Sequence, residues 1–156
     1  MEPIITIDEK LSKEDKYKLL IKQVEAFLKD ENDLIANMAN VAALIHTSFG
    51  FHWVGFYRVI DQDLVLGPFQ GPVACTRIKI PKGVCGTCVD QKKTIVVEDV
   101  HSFPGHIACS ALSNSEIVLP FIENDTVKWI LDIDSIEFND FNQVDCLNLE
   151  RIIDLF

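Results

Sequence analysis

The apolar residues of this chain change their period at Gly50. Before that glycine, Tyr17, Leu20, Ile21, Val24, Phe27 and Leu28 recur at helical spacing. They follow Ser12-Lys13-Glu14-Asp15, whose serine hydroxyl is available to an exposed backbone amide. A second helix is expected from about Asn32, with Ile35, Met38, Ala42 and Ile45 inward and Gly50 at its end. Beyond Gly50 the repeat is two. Strands are expected over 52–60 and 64–69 around an Asp61-Gln62-Asp63 turn, with a Gly/Pro-rich loop through 67–72 overlapping the second. A short strand near 77–80, a break at Pro81-Lys82-Gly83, a helix over 84–91 and a strand over 94–98 come next. Residues 100–113 read as irregular or locally helical, 116–122 and 127–133 as a hairpin, and 141–155 as a closing helix. Helices, a mostly antiparallel sheet and a terminal helix make an α+β fold. One domain over 1–156 is expected, with 1–10 a loosely held arm.

The formal charge is −10 and no face gathers Lys or Arg, which argues against nucleic acid and anionic membrane partners. The longest apolar runs fall far short of the roughly 20 residues that span a bilayer. Met1-Glu2-Pro3-Ile4 lacks the basic start and apolar stretch of a signal peptide, so a cytoplasmic protein is expected. In that compartment five cysteines do not form a structural disulfide framework. They are buried fillers, metal ligands or redox groups.

Three of them lie in places that suit redox chemistry. Cys75 follows the Gly/Pro-rich loop, Cys85 opens a helix, and Cys109 sits in a Gly/Pro/His loop. The positive end of a helix favours thiolate, an argument that applies to Cys85. His101 and His106 are the groups near Cys109 that can stabilise a thiolate there. Cys85-Gly86-Thr87-Cys88 has dithiol spacing without the second ligand pair that a closed zinc site needs, so no metal is expected. Cys146 reads as packing within the closing helix.

Asp132 and Asp134 alternate with Leu131 and Ile133, so both carboxylates share one strand face, roughly 6–7 Å apart. Such a face is either wet or, given Lys128-Trp129-Ile130-Leu131 beside it, buried. Glu116 begins the partner strand. A three-residue connection sets Glu116 opposite Asp134, and a two-residue Asn124-Asp125 turn separates them; sequence leaves both open. Trp53, Gly55 and Tyr57 share a face of the first strand, where Gly55 leaves an opening for a ligand and the rings suit a methyl sulfur group.

Trp53-Val54-Gly55-Phe56-Tyr57, Leu66-Gly67-Pro68-Phe69-Gln70-Gly71, Ala74-Cys75 and Gly83-Val84-Cys85-Gly86 are followed by three more stretches. These are Phe103-Pro104-Gly105-His106-Ile107-Ala108-Cys109, Ser115-Glu116-Ile117-Val118 and Leu131-Asp132-Ile133-Asp134-Ser135. In content and order they resemble the free methionine-(R)-sulfoxide reductases. The resemblance implies a GAF-like fold, a six-stranded sheet backed by N- and C-terminal helices, in a homodimer. It implies that Cys109 is the nucleophile, Cys75 the principal resolving cysteine and Cys85 the third redox cysteine. Glu116, Asp132 and Asp134 would bind and polarise the substrate, in a pocket walled by Trp53 and Tyr57. Cys88 is an addition to the three-cysteine pattern, and a Cys85–Cys88 disulfide would give electrons a second route. The implied reaction takes free L-methionine-(R)-S-oxide to L-methionine through a sulfenic acid and an intramolecular disulfide. Thioredoxin recycles it, with no metal or organic cofactor. The rivals are a GAF sensor that binds a small ligand, which has no use for three placed cysteines, and a metal-binding protein using Cys75, Cys85, Cys88 and Cys109.

Overall fold

The computed structural model describes residues 7–107 and 109–156; positions 1–6 of the expected arm and Ala108 of the 103–109 segment lie outside the described residues. Helix α1 (Lys13–Lys29) starts where the Ser12 hydroxyl accepts from the Asp15 amide at 3.1 Å. Helix α2 (Leu34–Phe49) is capped by Asp33, one residue later than expected, whose carboxylate accepts from the Ala36 amide at 2.8 Å. Gly50, at φ 71°, ends α2 in the left-handed conformation that glycine adopts without a Cβ penalty.

The strands are β1 (Trp53–Ile60), β2 (Asp63–Gln70), β3 (Arg77–Lys79), β4 (Ile95–Val97), β5 (Ser115–Glu123) and β6 (Thr126–Ser135). They form one six-stranded sheet in the order β3-β2-β1-β6-β5-β4, every pair antiparallel. Helix α3 (Gly83–Gln91) lies between β3 and β4 in sequence, and α4 (Gln143–Ile153) closes the chain. Alternation along the strands sends side chains to two cores. Val54, Phe56, Ile117, Leu119, Leu131 and Ile133 pack with the apolar stripes of α1, α2 and α4. On the opposite face, Trp53, Tyr57, Val118 and Ile130 pack with Val84, Cys85 and Cys88 of α3. Because both faces are covered, the alternate positions of β6 are not a wet face, and the carboxylates at 132 and 134 fall on the α3 side.

Two bulges set the register that the site depends on. Gly55 pairs with Phe69 and Tyr57 with Leu66, which leaves Gly67 and Pro68 together opposite Phe56. A bulge tolerates the proline, which has no N–H to give the ladder, so β2 runs on to Gln70 and the expected 67–72 loop begins only at Gly71. The β5–β6 turn is the two-residue Asn124-Asp125, with φ 50° and 58°. Alone it would separate Glu116 from Asp134. A second bulge, at Phe121/Ile122, makes Lys128 the extra residue on β6, and beyond it Glu116 pairs with Asp134. The turn of one sequence option therefore delivers the pairing of the other.

Candidate active site

Two loops meet over the α3 side of the sheet. Cys75 from one and Cys109 from the other are joined by a disulfide, with their Cα atoms 5.4 Å apart. The aromatic pair on β1 holds the first loop: the Trp53 indole N–H donates to the Pro72 carbonyl at 3.1 Å, and the Tyr57 hydroxyl to the Cys75 carbonyl at 3.0 Å. Their rings lie 5.9 Å apart, and Trp53 stacks on Phe69 at 5.4 Å. This arrangement corrects the expected opening at Gly55. A Cβ there would collide with the Trp53 ring and with the Phe69 Cβ, so the glycine admits the indole and not a ligand. The second loop is held where His52 Nε2 and Ser110 Oγ are hydrogen-bonded at 3.0 Å.

Beneath the disulfide, strand register gathers Glu116 on β5 with Asp132 and Asp134 on β6. Glu116 is 5% exposed and Asp132 6%. Burial raises the proton affinity of both, and the neighbouring carboxylates raise it further. Burial also pushes the Asp134 carboxyl up to about 6. One oxygen of Asp132, Oδ1, has no hydrogen-bond partner among the described residues.

Cys85 stands at the start of α3, as expected, but as a thiol and not a thiolate. Its Sγ donates to Glu116 Oε1 at 3.7 Å. Burial first, and then the charges of Asp132, Glu116 and Asp134, push its thiol far up, overriding the helix end. Cys88, one turn on, is fully buried and donates to the Val118 carbonyl at 3.7 Å. Cys85, Cys88 and Cys146 are free thiols, the last packed against the helical core.

Two adjoining hollows share Cys109, Ser110, Asp132 and Asp134. One extends toward Cys85, His106 and Glu116, the other toward Trp53, Tyr57 and Ala74. Trp53, Tyr57, Cys85, His106, Cys109 and the three carboxylates line these hollows, and Cys75 reaches them through its bond to Cys109. Gly55, Cys88, Cys146 and His101 are not among the lining residues, and His101 instead bonds Asn114 Oδ1 at 3.0 Å. His106, read as a partner for Cys109, instead has its Nε2 3.8 Å from Glu116 Oε2. Ser110, Lys82 and the clamp from His52 were not legible, because no local pattern links positions 58 apart. No helix among the described residues is long and apolar enough to cross a membrane.

The fold and the site define a GAF domain carrying a disulfide over a largely buried acidic cluster. No family model matches the chain. It is 52% identical over 145 residues to GAF domain-containing protein A of Dictyostelium discoideum, covering 92% of each. It is 42% identical over 144 residues to the free methionine-R-sulfoxide reductase of Escherichia coli, covering 92% of this chain and 87% of that protein. The free methionine-R-sulfoxide reductase of Neisseria meningitidis, solved in complex with its substrate, superposes with a TM-score of 0.94 at 41% identity. That match covers 98% of this chain and 93% of the other. The chain belongs to the free methionine-(R)-sulfoxide reductase family.

Proposed function

We propose that this chain, as a single GAF domain in a cytoplasmic homodimer, reduces free L-methionine-(R)-S-oxide to L-methionine. The observation that carries the reading is the Cys75–Cys109 disulfide bordering a cavity lined by three carboxylates, two of them, Glu116 and Asp132, buried. In the reduced protein, Cys109 thiolate attacks the sulfoxide sulfur. A sulfoxide oxygen is a poor leaving oxygen until it gains a proton, and a carboxylic acid held protonated by burial and like-charged neighbours supplies one. Glu116 and Asp132 suit that role by their raised proton affinity. The oxygen passes to Cys109 as a sulfenic acid, and methionine leaves. Cys75 thiol then condenses with the sulfenic acid, forming the disulfide and releasing water. An external dithiol, thioredoxin, is oxidised as it reduces that disulfide by exchange.

The remaining carboxylate charge suits the substrate's ammonium group, which a methionine inside a polypeptide lacks. Trp53 and Tyr57 suit the methyl sulfur end by dispersion and S–aromatic contact. Cys85 and Cys88 come second in the exchange, because both are buried thiols with raised proton affinity and so poor nucleophiles. Purified protein offered the free R-sulfoxide, the free S-sulfoxide and an R-sulfoxide peptide, each with dithiothreitol, should yield methionine from the first alone. Comparable turnover of the peptide contradicts the role given to the ammonium group.

A further inference from the structure

We propose that Cys85, Glu116 and Asp132 form a capture site for one soft divalent cation, zinc or cadmium, whose occupancy shuts the reductase site. One ligand atom from each residue, the Cys85 sulfur and an oxygen from each carboxylate, lies within 4.8 Å of the other two. The Cys85 sulfur is 3.7 Å from Glu116 Oε1. A tetrahedral zinc with bonds of about 2.3 Å to sulfur and about 2.0 Å to oxygen separates those atoms by about 3.5 Å, so little movement is needed. A further feature points to a cation here: Asp132 is 6% exposed and no N–H or hydroxyl among the described residues donates to its Oδ1, so the only protons at hand are the acidic ones of Cys85 and Glu116, which a metal displaces. A buried carboxylate oxygen without a donor is a position a positive charge fills. Three protein ligands with a fourth position facing a cavity is the coordination of an open zinc site. His106, with Nε2 3.8 Å from Glu116 Oε2, lines the same cavity.

The thiol selects the metal. Magnesium and calcium take oxygen ligands in sets of six or more, whereas thiolate with carboxylate suits zinc and cadmium. Binding expels the Cys85 proton and any on the two carboxyls to solvent and changes no oxidation state. The metal then holds the acids that the reduction needs and stands where the substrate's ammonium would sit. The inhibitory half of the proposal rests on the reading of this cavity as the reductase site; the binding half does not.

The oxidised protein isolates the site, since its Cys75 and Cys109 are locked in the disulfide. Cadmium chloride titrated into it should bind once per chain by calorimetry and produce the ultraviolet cadmium–thiolate band. Cys88→Ser, on the same helix but outside the cluster, should bind alike. Cys85→Ser should lose the band and bind at least ~100-fold more weakly, beyond the loss expected from disturbing a ligand's outer partners. Asp132→Asn, which keeps the side-chain shape, should weaken binding at least ~10-fold and serves if the cysteine variant fails to fold. Absence of binding, or unchanged affinity in Cys85→Ser, overturns the proposal. Zinc added to pre-reduced protein before one turnover should stop methionine release, and a chelator should restore it. Full release with zinc bound overturns the inhibitory half alone. No release without metal contradicts the reductase reading and leaves the binding result standing.

Discussion

Asp134 is the least buried of the three carboxylates, and its carboxyl is pushed up to about 6 by desolvation, with the Ser113 hydroxyl acting in the opposite direction. A folded value above the ordinary one means that the folded chain holds this proton more tightly than the unfolded chain. The stability it contributes is full below about pH 4 and is lost as pH rises through about 6. Asp134→Asn removes that titration. The variant should therefore be more stable than the parent at pH 7, on the order of 1–3 kcal/mol, with the difference vanishing by pH 4. Urea unfolding at the two pH values measures this, and an equal difference at both contradicts it. The same substitution, and Glu116→Gln, should lower kcat/KM by at least ~10², since each removes an acid or a charge partner from the cavity. A gain in stability with a loss of activity is the mark of charges kept for function. Near-normal kinetics in both variants would reduce the cluster to ornament on the sheet.

At the scale of elements, Asp145 joins the two ends of the chain. Fully buried at the start of α4, it accepts from the Tyr17 hydroxyl at 2.7 Å, from Lys13 Nζ at 2.8 Å and from the Asn142 amide at 2.9 Å. Asp145→Ala strands the Tyr17 hydroxyl and the Asn142 amide, while Lys13 Nζ keeps the Asp140 carbonyl at 2.8 Å, and should cost about 3 kcal/mol, read as a lower urea midpoint at unchanged slope. Sequence showed the closing helix but neither its Asn142–Asp145 capping box nor this role, because Tyr17 and Lys13 meet Asp145 only through the packing of α1 on α4. The same division runs through the site. Period and punctuation made both N-terminal helices, the hairpins and the shared face of Asp132 and Asp134 legible. Register was not legible, because the bulges at Phe121/Ile122 and opposite Phe56 each insert a residue without any change in the apolar pattern. Nor was burial: the thiolate expected at Cys85 follows from its helix position alone, and the tertiary cover of α3 reverses it. Gly55 was rightly marked as special, and only the packed structure shows that the Trp53 indole fills the space.

At the scale of the whole molecule, a sheet covered on both faces divides the work. The α1, α2 and α4 side is apolar core around the Asp145 link, and the α3 side carries the disulfide, Cys85, Cys88 and the three-carboxylate cluster. The disulfide pair comes from loops 34 positions apart in sequence, one anchored by Trp53 and Tyr57 of β1 and the other by His52 just before that strand. The division of labour proposed for the two cysteines has Cys109 attack and Cys75 resolve. It is tested most directly by counting methionine released in a single turnover, without reductant, from the pre-reduced Cys109→Ser and Cys75→Ser proteins. Cys109→Ser should release none, because a hydroxyl neither forms a thiolate nor takes up the oxygen as a sulfenic acid. Cys75→Ser should release about one methionine per chain and leave a sulfenic acid that dimedone traps on Cys109. Stoichiometric methionine from Cys109→Ser would contradict the account.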